Sequence, residues 1–191
     1  MDTSKMRIVL LVGSVRTSRM ADPIVAWLRA QLAQHTWIDL DVIDLATVRL
    51  PEAELRPGSG DSPIADRMNA ADGFVVLTPE YNHSFPAALK NAIDWHYTEW
   101  TRKPVTFVAY GAGSGGIRAI EQLRLIFPEL SAVTTRNVVT LSAPWNHLGD
   151  NGFEPPEQVV GALEATVAEL HWWATALRVA RGRDAADLVP A

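Results

Sequence analysis

Apolar residues along this chain follow two rhythms. Residues 7–12 (RIVLLV), 73–77 (GFVVL) and 105–110 (VTFVAY) are near-continuous apolar runs rich in β-branched side chains, as expected of strands covered on both faces. Residues 38–43 (IDLDVI) alternate apolar with acidic positions, and residues 137–141 (NVVTL) form a shorter run. Between them apolar residues recur three and four apart at 21–34, 64–71, 87–100 and 116–126, and again over 156–179. That spacing puts the apolar side chains on one face of a helix. Five strands alternating with five helices predict a parallel sheet with helices on both faces, within a single domain spanning residues 1–191. Residues 50–63, with three prolines and two glycines, read as an exposed loop.

In open sheets of this kind ligands bind beyond the carboxyl ends of the strands, and three loops there are unusual. After the first strand, residues 13–19 (GSVRTSR) join hydroxyls at Ser14, Thr17 and Ser18 to guanidinium groups at Arg16 and Arg19, at the start of a helix. Free amides and a helix N-terminus favour an anion, and arginine adds forked, charge-assisted bonds, so the loop is a candidate phosphate seat. The alternative is that Ser18 caps the helix and the arginines are solvated. No Walker pattern occurs, because Gly-Lys-Ser/Thr is missing.

After the third strand come Pro79, Glu80, Tyr81, Asn82, His83 and Ser84. Pro79 is expected to end the strand and Pro86 to open the next helix, leaving a short rigid loop whose amides, with Asn82, face a ligand beside Tyr81. The alternative gives Asn82 and Ser84 turn and cap bonds and has Tyr81 pack. After the fourth strand, Gly111, Ala112, Gly113, Ser114, Gly115 and Gly116 match G-x-G-x-x-G between strand and helix. A dinucleotide fingerprint also needs an acidic residue about twenty positions on, which TTRNVVTLSAP lacks, and it belongs after the first strand. A glycine run that lets a flat ring approach the backbone fits equally well.

Composition narrows the classes. Over 191 residues, 48% hydrophobic and 20% charged positions describe a globular soluble protein. A net charge of −5 without a basic cluster argues against a nucleic-acid partner. The first apolar run is too short for a signal or membrane segment, so a cytoplasmic protein with no membrane partner is expected. There is no cysteine, which excludes disulfides, thiolate metal sites and cysteine nucleophiles, and redox work would need a borrowed cofactor. His35, His83, His96, His147 and His171 are scattered, with no metal-spaced pair. Only His83 falls near the expected site; His96 and His171 stand beside Trp in helical stretches and read as packing or interface residues. Ser14 and Ser84 lack a nucleophile-elbow context. No metal site and no catalytic side chain are assigned.

The combination of GSVRTSR, TPEYNHSFPAALKNAIDW and GAGSGGIRAIEQLR, in this order and spacing, resembles the NAD(P)H-dependent FMN reductases of the flavodoxin-like superfold, which include quinone reductases, azoreductases and chromate reductases. The resemblance covers residues 6 to about 145. It implies an α/β three-layer sandwich with a five-stranded parallel sheet in the order 2-1-3-4-5, one non-covalent FMN per subunit, and NADPH or NADH as hydride donor. By similarity Ser14, Arg16, Arg19 and Met20, with Ser18 in the same loop, hold the FMN phosphate. Pro79, Glu80, Tyr81 and Asn82 line the isoalloxazine ring, with Ser84 beside them, and residues 111–116 pass along its pyrimidine side. His83 and Arg118 are candidate substrate contacts, Arg118 for the 2′-phosphate of NADPH. Many relatives carry Ser-x-Asn where this chain has Arg19 and Met20.

The implied chemistry passes two electrons, as a hydride, from NAD(P)H through the flavin to a small acceptor such as a flavin, quinone or azo compound, in ping-pong order. A homodimer or homotetramer is implied too, and Trp95, Trp100, Trp172 and Trp173 suit either an interface or the core. A flavodoxin-type electron carrier, a flavin-sensing module and a flavin-free nicotinamide enzyme stand as alternatives.

Overall fold

A computed structural model describes residues 5–50 and 62–182; most of the loop expected at 50–63 lies outside the described residues. Four strands run side by side: β1 (Met6–Val12), β2 (Ile38–Asp44), β3 (Gly73–Pro79) and β4 (Pro104–Gly111). Two short segments, β5 (Val133–Thr134) and β6 (Val139–Ser142), both pair with β4. The order is 2-1-3-4-5 and every pairing in this sheet is parallel. The expected α/β flavodoxin-like topology is therefore present.

Helices cover both faces. On one side α1 (Ala21–Leu32) and the 26-residue α5 (Glu157–Gly182) meet Ile8, Leu10, Val75 and Leu77 through Ile24, Leu28, Leu163 and Leu170. On the other, α2 (Ala65–Asn69), α3 (Ala87–Trp95) and α4 (Ile117–Ile126) press on Val9, Leu11, Phe74, Val76 and Phe107. Odd and even positions of one strand thus feed two separate cores, which is why these strands read as unbroken apolar runs.

Three boundaries differ from the sequence reading, each for a local reason. The helix expected over 87–100 stops at Trp95: His96 is extended, its ring Nδ1 sits 2.7 Å from the Ala92 carbonyl, and a 3₁₀ turn at Thr98–Trp100 carries Trp100 into the core against Phe74 and Phe127. The fifth strand is split because the amides of Arg136 and Asn137 donate to Glu169 of α5, at 2.8 and 2.7 Å, instead of to β4. The helix expected at 64–71 is only five residues long, and Lys103 Nζ reaches across to its last carbonyls, Met68 O and Asn69 O, at 3.0 and 2.6 Å. Burial brings the Lys103 ammonium down to about 8.

Candidate functional site

The three loops do converge. A cleft of about 450 Å³ opens at the carboxyl end of the sheet, lined by residues of all three loops together with Tyr110 and Trp145. That volume lies in the usual range for a small-molecule site.

The first loop leaves the sheet at Gly13, whose N–H donates to Leu77 O at 2.8 Å. Ser14, Arg16, Ser18, Arg19 and Met20 all face the cleft. α1 begins after Met20 without any side-chain cap, so Ser18 is not a helix cap here. Among the described residues, the amides of Ser14, Val15, Arg16, Thr17 and Ser18 donate to no backbone carbonyl. The Ser14 hydroxyl is buried and makes no hydrogen bond of normal geometry. Burial pushes the neighbouring Tyr110 phenol up to about 12, offset in part by that hydroxyl, so Tyr110 stays a neutral donor at neutral pH.

The two arginines have different surroundings. Arg19 bonds both oxygens of Asp44, the Ser14 carbonyl and Asp22. Asp44 above all holds its guanidinium above its ordinary pKa, against the opposing effect of burial. Arg16 is exposed, with its guanidinium carbon 4.2 Å from the centre of the Tyr81 ring. Arg19 thus fixes the loop to the end of β2, while Arg16 offers its charge to the cleft.

The second loop is a mirror-image turn. Tyr81 and Ser84 exchange backbone bonds of 2.8 and 2.9 Å, and Asn82 and His83 take φ values of 49° and 70°; both central positions left-handed is the type I′ pattern, and Asn and His are among the side chains that tolerate it. The expected rigid loop is there, but the amides of Glu80, Tyr81 and Ser84 are spent on backbone partners. Pro79, Glu80, Tyr81 and Asn82 line the cleft; His83 and Ser84 do not. Ser84 Oγ donates to Gln122 of α4 at 2.5 Å, and Gln122 returns a bond of 2.7 Å to His83 O.

The third loop divides by role. Gly111 and Ala112 line the cleft, whereas Gly113, Ser114, Gly115, Gly116 and Arg118 stand back from it. Gly116, at φ 92°, lies where a Cβ would collide with Ala109 and Tyr110 of β4. Ser114 Oγ donates to Glu80 at 2.5 Å, and Arg118 adds its backbone N–H at 3.3 Å and a guanidinium bond of 3.1 Å. Burial alone would raise the Glu80 carboxyl, but the Ser114 and Arg118 bonds outweigh it and hold it below its ordinary value. One carboxylate therefore ties the second loop to the third.

Sequence reasoning passed over Tyr110, Trp145, Asp22 and Asp44. Tyr110 closes a strand and was counted as apolar; Asp44 follows a strand whose loop looked ordinary. A carboxylate at a strand end, one strand away from an arginine-bearing loop, was the available signal. Asp41 likewise pairs with Arg67, whose hydrogen bonds outweigh burial and lower its carboxyl. Depressed carboxylates contribute stability above the unfolded value of 3.8 and lose it as pH falls through their lower folded values. Urea midpoints should fall between pH 5 and pH 3, and Asp41→Asn should lower the pH 5 midpoint while flattening that slope; an unchanged slope would remove the pair from the account.

A parallel sheet in this order, with a cleft beyond β1, β3 and β4, defines a flavodoxin-like protein. Comparison with known proteins narrows this. The sequence profile of the NADPH-dependent FMN reductases matches residues 6–146, and the chain belongs to that family, an enzyme family of NAD(P)H-linked oxidoreductases defined by FMN. An NAD(P)H-dependent FMN reductase of Schizosaccharomyces pombe is 33% identical over 148 residues, covering 71% of this chain and 73% of the relative. A quinone reductase of Escherichia coli K12 is 31% identical over 140 residues, 69% of this chain and 74% of the relative. Among solved structures, the flavoenzyme NAD(P)H:(acceptor) oxidoreductase of Paracoccus denitrificans superposes with a TM-score of 0.67 at 21% identity, covering 87% of this chain and 97% of its own. A flavodoxin of Streptococcus pneumonia superposes at 0.57 with 15% identity, covering 86% and 97%, so the fold alone does not separate reductase from carrier.

Proposed function

We propose that this protein holds FMN in the cleft and reduces a small acceptor, a quinone or flavin, at the expense of NADPH or NADH. The observation that carries this reading is the set of five loop amides without backbone partners, beside the buried Ser14 hydroxyl and the exposed Arg16, a donor set suited to a phosphate. Ser14, Arg16, Ser18 and the loop amides hold the phosphate; Arg19 and Met20 shape the loop. Pro79, Tyr81, Asn82, Gly111 and Ala112 face the ring, and Glu80, Ser114 and Arg118 keep the two ring loops in register.

FMN, when bound, supplies a ring able to take a hydride from nicotinamide and to release two electrons to an acceptor. The chain orients the two substrates in one cleft in turn, and Tyr110, a neutral donor, can hydrogen-bond developing negative charge without losing its proton. The net change is NAD(P)H plus a proton plus acceptor giving NAD(P)⁺ plus the acceptor carrying two more electrons and two more protons.

The reading extends to one domain per chain, to the cytoplasm and to a homodimer or homotetramer. Among the described residues no helix is long and apolar enough to cross a membrane. Trp95 and Trp100 are core residues, but Trp172 of α5 is 63% exposed and available to a second copy; a sedimentation mass equal to the monomer would remove that part.

The deciding measurement is the visible spectrum after FMN loading and desalting, then anaerobic NADPH. A retained flavin band that bleaches on NADPH, with parallel lines in double-reciprocal plots against a quinone, is expected. A band that persists under NADPH would mark a carrier or sensor.

A further inference from the structure

The loop after β6 belongs to the cleft, yet it lies outside the three motifs that carry the sequence reading. It is held in a costly conformation. Ala143 has φ 44° and ψ 54°, left-handed although it is not glycine, a region that a Cβ disfavours. Its N–H donates to Gly111 O at 2.7 Å and to Ala112 O at 3.2 Å, and Ser142 Oγ donates to Ala112 O at 2.7 Å. Three hydrogen bonds thus fasten this loop to the glycine loop that lines the cleft. Pro144 then starts a 3₁₀ turn, Pro144–His147, closed by Asn146 N–H to Ala143 O at 2.9 Å.

The product of this arrangement is the position of one indole. Trp145 lines the cleft and is 48% exposed, whereas Pro144 beside it is buried and does the anchoring. A half-exposed Trp adds little to a core that already contains Trp95 and Trp100. Backbone strain kept at a cleft, delivering an aromatic surface to it, points to recognition. Strand order puts Trp145 at the β6 end of the row of loops and the stacked Tyr81–Arg16 pair toward β3 and β1.

We infer that Trp145 is a specificity-determining residue which supplies a stacking surface for planar conjugated acceptors, so that the cleft favours quinones over compact, non-planar acceptors. The inference rests on the flavin-dependent reading above. The reaction selected is NAD(P)H plus a proton plus quinone to NAD(P)⁺ plus hydroquinone: the quinone's two carbonyl oxygens gain the two protons and its ring the two electrons.

The test compares wild type, Trp145→Ala and Trp145→Phe on FMN-loaded protein, with menadione as the planar acceptor and ferricyanide as a compact one. Flavin retained per chain and the menadione Kd by titration calorimetry are measured alongside. Trp145→Ala should weaken menadione binding and lower its kcat/KM about tenfold, and Trp145→Phe only about twofold. Retained flavin and NADPH-dependent bleaching report the flavin site separately, and ferricyanide reduction should fall much less than menadione reduction. Equal losses for both acceptors, or no loss for menadione, would overturn the assignment. So would a fall in retained flavin with an unchanged menadione Kd, which makes Trp145 a wall of the flavin site. A wild-type protein that retains no flavin and oxidises no NADPH with excess FMN would sink the underlying reading together with this one, whereas the variant outcomes judge Trp145 alone.

Discussion

Gly116→Ala should lower the stability of the protein by about 2–5 kcal/mol. Two effects combine. Gly116 sits at φ 92°, and a Cβ there would stand 2.6 Å from Ala109 Cβ, 2.6 Å from Tyr110 N and 2.8 Å from Ala109 C. The left-handed position costs a residue with a Cβ about 1–2 kcal/mol, and overpacking against atoms that cannot rotate away adds about 1–3 kcal/mol. The neighbours are the backbone of β4 itself, so relief would need the start of α4 to lift from the sheet. Gly113 is the control: it belongs to the same glycine pattern, yet a Cβ there meets nothing within 4 Å. Gly113→Ala should change the stability by no more than about 0.5 kcal/mol. Similar losses for both would show that the spacing around Gly116 is not the cause.

Arg16→Ala should weaken FMN by about 1.5–3 kcal/mol, the range of a hydrogen bond to a charged group, or roughly ten- to hundredfold in Kd. Riboflavin lacks the phosphate and should lose much less. What it does lose reports the stacked contact of Arg16 on Tyr81, 4.2 Å from the ring centre, which at an exposed site is worth about 0.5–1 kcal/mol. Because Arg16 is exposed and the structure makes no ion pair to it among the described residues, the urea midpoint should hardly move. Arg19→Ala should behave oppositely, destabilising the chain as well, since it leaves the partly buried Asp44 carboxylate without its cation. Equal losses of FMN and riboflavin on Arg16→Ala would end its assignment to the phosphate.

Much of this architecture was legible because its cause is local. Two-sided burial makes β1, β3 and β4 unbroken apolar runs, and their alternation with helical spacing is enough to predict parallel order and the edge where a ligand sits. The three loops were legible for the same reason: each is a short polar or glycine segment at a fixed place after a strand. Partnerships across the sheet were not. Nothing in GSVRTSR says that Arg19 turns to Asp44 while Arg16 stays exposed, and nothing in PEYNHS says that Glu80 faces Ser114 and Arg118, because those pairings depend on which loops become neighbours once the sheet forms. Trp145 was hidden by the same limit, standing after an ordinary-looking strand until Ala143 turned it toward the cleft.

The divided fifth strand bears on how copies of this chain can meet in solution. An open sheet has two rims, and a long flat rim would template strand addition and aggregation. Here one rim is broken into a pair of two- and four-residue pieces, with Glu169 holding the amides of the gap. The other, β2, carries the exposed Asp39, a charge that two copies laid edge to edge would bring into repulsion, while Asp41 and Asp44 are held by Arg67 and Arg19. Sheet extension is thus disfavoured at both rims among the described residues, which leaves the helix surfaces as the favoured place for two copies to meet.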